Sequence, residues 1–153
     1  MTAEELTAII VRAKATTYVG GGDTIKPSRP GAHDLAWSEG DWRYLDSYFG
    51  GTDFLGQEVL WRAHEPIWAM NYYGAVRRPD LINAERAGQT IKAALSALYR
   101  EGRFLGGFEW MGPFGHYVDR SEGSVASFRG REVIEVGGVE AYALDYFGGL
   151  VKA

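Results

Sequence analysis

Residues 42–74 read WRYLDSYFGGTDFLGQEVLWRAHEPIWAMNYYG, and the fold turns on this stretch. Three aromatic-rich runs, 42–49, 54–62 and 66–74, are separated by Gly50-Gly51-Thr52-Asp53 and by a tight turn around His64-Glu65. Runs of this length between turn-forming residues predict a three-strand antiparallel meander. Counting outward from the second turn sets Trp61 opposite Trp68 and Glu58 opposite Asn71. The first turn, counted the same way, sets Trp42 opposite Trp61 and Asp46 opposite Gln57. In that register Trp42, Tyr44 and Asp46 share one face, while Glu58, Asn71 and Tyr73 share the other. A bulge in either hairpin would slip a strand and exchange its faces.

Upstream, Thr2 precedes Glu4 and Glu5, and Leu6, Ile9, Ile10 and Ala13 follow at helical spacing. This predicts a capped amphipathic helix over 2–15. From Gly20 to Gly40 the chain reads as a long loop with Pro27, Pro30 and Gly31. Downstream, Pro79-Asp80 opens a second helical region to about 101, with Ile91, Leu95 and Leu98 as its buried stripe. The remainder is glycine-punctuated and β-rich, with Gly130 near a hairpin turn. Hairpin-linked strands beside two helices predict an α+β protein. It is expected as a single globular domain over 1–153, with one bent, mainly antiparallel sheet of six to eight strands. DSYFGG at 46–51 and LDYFGG at 144–149 resemble each other. They read as two uses of the same strand-end chemistry, with no repeat architecture.

Composition narrows the function classes. The net charge is −4 with no basic run, so the positive footprint that nucleic-acid binding requires is missing, and no nucleic-acid partner is expected. No cysteine is present, which excludes disulfides, thiolate metal sites and cysteine nucleophiles. His33, His64 and His116 lack metal-site spacing, so no metal and no cofactor are expected. YVGGGDTIKPS (18–28) lacks the Gly-Lys-Ser/Thr ending of a phosphate loop. No window reaches the roughly 20 apolar residues of a membrane helix, and no signal-peptide layout opens the chain. A cytoplasmic protein without a membrane partner is the expectation; the oligomeric state stays open.

SRPGAHDLAW, EGDWRYLDSYFGG, FLGQEVLWR and PIWAMNYYG, in that order, resemble an uncharacterised bacterial domain family. Its members occur alone or after a helix-turn-helix DNA-binding domain in transcriptional regulators. The resemblance spans 16–76 well and the C-terminal half loosely. It implies a small-molecule-sensing context and carries no catalytic residues. The single short helix before the loop leaves no room for the DNA-binding part.

Candidate ligand-binding residues follow from polar groups set among rings. Asp46, Glu58 and Asn71 interrupt aromatic strands, and a buried polar group needs a partner. They read either as orienting contacts in a pocket with Trp42, Tyr44 and Tyr73, or as a solvated Glu58–Asn71 pair plus an Asp46 bound to a loop amide or Tyr hydroxyl. His33 beside Asp34 has the chemistry of a general base, although Asp34 also suits an Asx turn. The expected function is small-molecule binding or sensing without catalysis. The alternatives are a small hydrolase or isomerase using His33 with nearby carboxylates, and a protein–protein interaction module with an exposed aromatic face.

Overall fold

The computed structural model describes residues 1–21 and 23–152. Helix α1 spans Ala3–Lys14 and continues into a π-helical turn, Ala15–Val19. Thr2 caps it as expected: its hydroxyl accepts from the Glu5 amide at 3.1 Å, and the Glu5 carboxylate accepts from the Thr2 amide at 2.7 Å. Helix α2 spans Ala84–Arg100, capped by Asn83. It buries Ile91 and Leu98, whereas Leu95 is partly buried and borders a cavity.

The strands are β1 (Asp23–Ile25), β2 (His33–Glu39), β3 (Trp42–Gly50), β4 (Phe54–Arg62), β5 (Glu65–Val76), β6 (Phe108–Gly112), β7 (Gly115–Ser124), β8 (Ser127–Val136) and β9 (Val139–Leu150). All nine form one sheet in the order β1-β2-β3-β4-β5-β9-β8-β7-β6, every described pair antiparallel. The α+β class and antiparallel sheet agree with the sequence reading. The strand number exceeds it, because the presumed loop at 20–40 contributes β1 and β2. Gly130, expected near a turn, lies inside β8.

The meander forms where expected, but in another register. Asp46 faces Glu58, Gln57 faces Asn71, Glu58 faces Met70 and Leu60 faces Trp68. The second hairpin closes in two residues, Ala63 and His64, both at positive φ (45° and 76°), the backbone of a type I′ turn. Neither residue type announces such a turn. A bulge at Leu60/Trp61 then adds one residue to β5. Asp46 and Glu58 therefore share a face, and Asn71 lies on the opposite one.

The expectation of no repeat is also overturned. Apart from the π-helical turn and β1, which have no counterpart after α2, α1 with β2–β5 and α2 with β6–β9 have the same element order, and their last strands, β5 and β9, pair in the interior of the sheet. Inward residues correspond across the halves. Trp37, Tyr44 and Asp46 recur as Trp110, Tyr117 and Asp119. Phe54-Leu55-Gly56-Gln57-Glu58 recurs as Phe128-Arg129-Gly130-Arg131-Glu132, and Asn71-Tyr72-Tyr73-Gly74 as Asp145-Tyr146-Phe147-Gly148. LDYFGG on β9 thus corresponds to the end of β5, not to DSYFGG on β3. Both helices lie over one sheet face, where Leu6, Ile10, Ile91 and Leu98 join Tyr44, Leu60, Trp68 and Tyr117 in the core.

Candidate functional site

Strand alternation places alternate side chains on the helix-covered face. On β3 and β4 this brings Asp46 directly opposite Glu58; on β7 and β8 it brings Asp119 directly opposite Glu132. All four carboxyls are buried, with exposures of 2–6%. Each aspartate is reached from two strands away by a tyrosine. The Tyr72 hydroxyl on β5 donates to Asp46 Oδ1 at 2.6 Å, and the Tyr146 hydroxyl on β9 donates to Asp119 Oδ1 at 2.8 Å.

The strand between must offer no side chain for the ring to cross, and in both halves it offers glycine. A Cβ on Gly56 would stand 2.3 Å from the Tyr72 hydroxyl, and one on Gly130 would stand 2.1 Å from Tyr146 Cζ. These glycines give room rather than unusual backbone.

The glutamates differ in their partners. Glu58 accepts from Lys14 Nζ at 2.5 Å, a buried ion pair brought by the last turn of α1. Glu132 accepts instead from the Tyr117 and Tyr142 hydroxyls, at 2.5 and 3.2 Å. Asp119 Oδ2 is buried and has no hydrogen-bond partner among the described residues.

These groups line a cavity of about 450 Å³ between the sheet and the helices. Its remaining wall is chiefly aromatic and aliphatic, including Tyr18, Tyr99, Phe104 and Ile91. Lys92 Nζ lies 5.9 Å from the Tyr18 ring centre.

Burial dominates the electrostatics. It pushes the Asp46 carboxyl up to about 7, helped by the Glu58 charge and opposed by the Tyr72 hydrogen bond and Lys14. Glu132 is also pushed to about 7, by burial against the Tyr117 bond, with the Asp119 charge adding to the rise. Asp119 rises to about 6, again by burial, against the Tyr146 bond and the more distant charges of Arg103 and Arg120. Burial first, then the carboxylate charges, raise the hydroxyls of Tyr44, Tyr72, Tyr117, Tyr142 and Tyr146. The tyrosines therefore remain protonated donors at neutral pH, and burial raises the carboxyls of Asp46, Asp119 and Glu132 toward neutrality.

Of the residues singled out from sequence, Asp46, Glu58 and Tyr44 converge on this cavity. Asn71 and Tyr73 do not. Asn71 Oδ1 accepts from Gln57 Nε2 at 2.9 Å on the opposite face, and Tyr73 is exposed there, as are Leu55 and Phe147. Trp42 is half-buried beneath the Arg62 guanidinium. His33 is exposed, its ring 5.0 Å from that of Tyr48, and does not border the cavity.

Asp34 points to the other side of β2 and is fully buried. It accepts from Ser47 Oγ at 2.5 Å and from the Ser28 amide at 2.8 Å. Burial works to raise its pKa, but those bonds and Arg29 outweigh burial and hold it low. It clamps the 26–32 loop and leaves His33 without a carboxylate partner among the described residues. Sequence reasoning missed Lys14, Tyr72, Asp119, Glu132 and Tyr146. The signal was available in the recurrence of Phe-x-Gly-x-Glu.

A family sequence model described as "Domain of unknown function (DUF5680)" matches residues 46–151. The chain belongs to that family. The match includes Asp46, Glu58, Tyr72, Asp119, Glu132 and Tyr146, so the carboxyl-bearing strands of this DUF5680 protein fall within it, while Lys14 precedes it. No curated protein and no solved structure matches the chain. Among the described residues, no group of three or more His, Asp or Glu residues is arranged to hold a metal ion. No helix among them is long and apolar enough to cross a membrane.

Proposed function

We propose that this domain binds a small molecule in the cavity between sheet and helices, without transforming it. The observation that carries the proposal is the ring-lined cavity of about 450 Å³ with four buried carboxyls on its wall. Small-molecule sites are concave, largely apolar and furnished with a few convergent polar groups. A core built only for stability has no use for four buried acids, each of which costs free energy to desolvate. Binding without chemistry is favoured because no nucleophile, base and oxyanion-stabilising donor converge among the described residues, and His33 stands outside the cavity. Ligand-dependent regulation in the cytoplasm, as the resemblance to regulator-associated domains implies, is the role this activity would serve.

A second reading rests on Asp46 and Glu132, whose pKa values of about 7 suit proton transfer at neutral pH. On that reading the domain is an isomerase or hydrolase working through these carboxyls rather than through His33.

A thermal-shift panel of cationic, neutral and anionic metabolites tests the binding reading on the wild type and on Leu95→Trp, which fills the cavity. A compound that raises the midpoint by linkage in the wild type and not in the variant supports it. No active compound, or shifts that survive in Leu95→Trp, refutes it. Conversion of a bound compound, followed by mass spectrometry, would establish the second reading instead.

A further inference from the structure

We propose that the ligand is a protonated amine on an apolar or aromatic body, with its ammonium seated over Asp119 and Glu132. This inference rests on the binding reading above and adds the chemistry of the ligand. The molecule's own internal repeat carries it.

Ile10, Ala13 and Tyr18 in the first half recur at the same spacing as Ile91, Ala94 and Tyr99 in the second. Gly21 and Gly102, which follow, both have positive φ, 72° and 74°. Under this correspondence Lys14 falls on Leu95, and both border the cavity. In the first half, Glu58 of the facing pair Asp46 and Glu58 receives the ammonium of Lys14, a residue only 5% exposed. In the second half, the facing acids Asp119 and Glu132 have a leucine at the corresponding place. The second acid pair faces across its strands as the first does, but two tyrosine hydroxyls meet Glu132 where Glu58 has a cation.

Two further observations agree. Asp119 is 2% exposed, and its Oδ2 has no donor among the described residues; an N–H from a ligand would supply one. The cavity wall carries four carboxyls, and its one buried ammonium is already held by Glu58. An anionic ligand would meet like charge at close range in a medium that screens poorly. A neutral ligand could bridge the hydroxyls but would leave both acids uncompensated when they ionise. Tyr18, Tyr99, Phe104 and Ile91 supply rings and aliphatic surface for the rest of the ligand.

Lys14 from α1 is bonded to Glu58, and its charge also acts at longer range to lower the Glu132 pKa. Tyr18 from the π-helical turn and Tyr99 from α2 are neutral, with raised pKa values. Lys92 from α2 borders the cavity but is exposed, beside Tyr18. Arg103 in the loop after α2 pairs with Glu101 and donates to the Leu105 and Gly107 carbonyls. Arg120 on β7 reaches Glu109 on the surface. Tyr117, Tyr142 and Tyr146 donate as neutral hydroxyls. Asp46 and Glu58 add only negative charge. No protein cation contacts Asp119 or Glu132 among the described residues.

The test uses matched trios on three bodies: phenethylamine, tryptamine and cyclohexylethylamine, each with the corresponding alcohol and carboxylic acid. Calorimetry and thermal shift read binding to the full chain. The amine should bind at least about tenfold more tightly than its alcohol, the difference of one charge-assisted hydrogen bond, and the acid should bind least.

Amine affinity should tighten between about pH 5.5 and 8, as Asp119 and Glu132 ionise from about 6 and about 7. It should then level off, because the ammonium itself stays charged to about pH 10. Alcohol affinity should lack that rise. Asp119→Asn and Glu132→Gln should each weaken the amine about tenfold or more while changing the alcohol little. Leu95→Lys should supply the missing ammonium internally and abolish amine binding, whereas Leu95→Met should retain it.

An alcohol or acid that binds as well as its amine, or amine affinity that is flat with pH, overturns the amine inference and leaves the binding reading standing. No binding by any member of any trio overturns the amine inference, while the binding reading is decided separately by the metabolite panel. Should a carboxamide variant fail to fold, the wild-type amine-to-alcohol ratio and its pH profile still decide.

Discussion

A single methyl group added at Gly130 tests the crossing of Tyr146 over β8. In Gly130→Ala the new Cβ would lie 2.1 Å from Tyr146 Cζ, 2.3 Å from its hydroxyl oxygen and 2.6 Å from Cε2. The ring must move away, and its hydroxyl then leaves Asp119 Oδ1, now 2.8 Å distant. Overpacking of this kind costs about 1–3 kcal/mol. Loss of a hydrogen bond to a carboxylate costs about 1.5–3 kcal/mol when the acid is charged. Replacing glycine in a strand returns about 0.5–1 kcal/mol of backbone entropy. The net is a destabilisation of about 1.5–5.5 kcal/mol, or roughly a 3–20 °C lower midpoint for a chain of this size.

Equilibrium denaturation near pH 8 measures it, with Gly130→Ala/Tyr146→Ala as the relieving double variant. The double variant should be more stable than the sum of the singles implies, by about 1 kcal/mol or more. Gly88→Ala in α2, where an added Cβ meets nothing within 4 Å, is the control and should stabilise by about 0.5–1 kcal/mol. A Gly130→Ala protein as stable as the wild type, or additive with Tyr146→Ala, would refute the ring-crossing account.

Three other outcomes are expected. Lys14→Met leaves the buried Glu58 without its partner and should cost about 3–5 kcal/mol in denaturant unfolding; a cost under about 1 kcal/mol would show that Glu58 finds another donor. Asn71→Ala removes a hydrogen bond to Gln57 on the open face and should cost under about 0.5 kcal/mol, which a midpoint drop of many degrees would contradict. Asp46, Asp119 and Glu132 have folded pKa values raised to about 7, 6 and 7, against about 4 when unfolded. The folded state holds the extra protons, so stability from these groups falls as pH rises from about 4 to 7 and is level above. Asp34, whose pKa is lowered, works oppositely and loses its contribution only at lower pH. Asp46→Asn should flatten the fall, and unfolding free energies that climb from pH 4 to 7 would contradict the assignment.

Local order along the chain was legible in the sequence. The cap at Thr2 and the apolar stripe after it predict α1, and the aromatic runs at 42–49, 54–62 and 66–74 predict β3, β4 and β5, because these signals are carried by neighbouring residues. Asp46, Glu58 and Tyr44 were also recognisable as candidates, since a carboxyl among rings demands a partner wherever it lies. Register was not legible. The type I′ turn uses Ala63 and His64 instead of Asn or Gly, and the bulge at Leu60/Trp61 leaves no compositional mark, yet together they decide that Glu58 joins Asp46 and that Asn71 faces away. His33 and Asp34, adjacent in the chain, lie on opposite faces of a strand that the sequence does not announce. The cavity depends on the pairing of β5 with β9, which sets two similar halves side by side in one sheet. A long-range pairing of that kind is decided by which surfaces bury each other, and so it becomes visible only once the whole sheet has closed beneath its two helices.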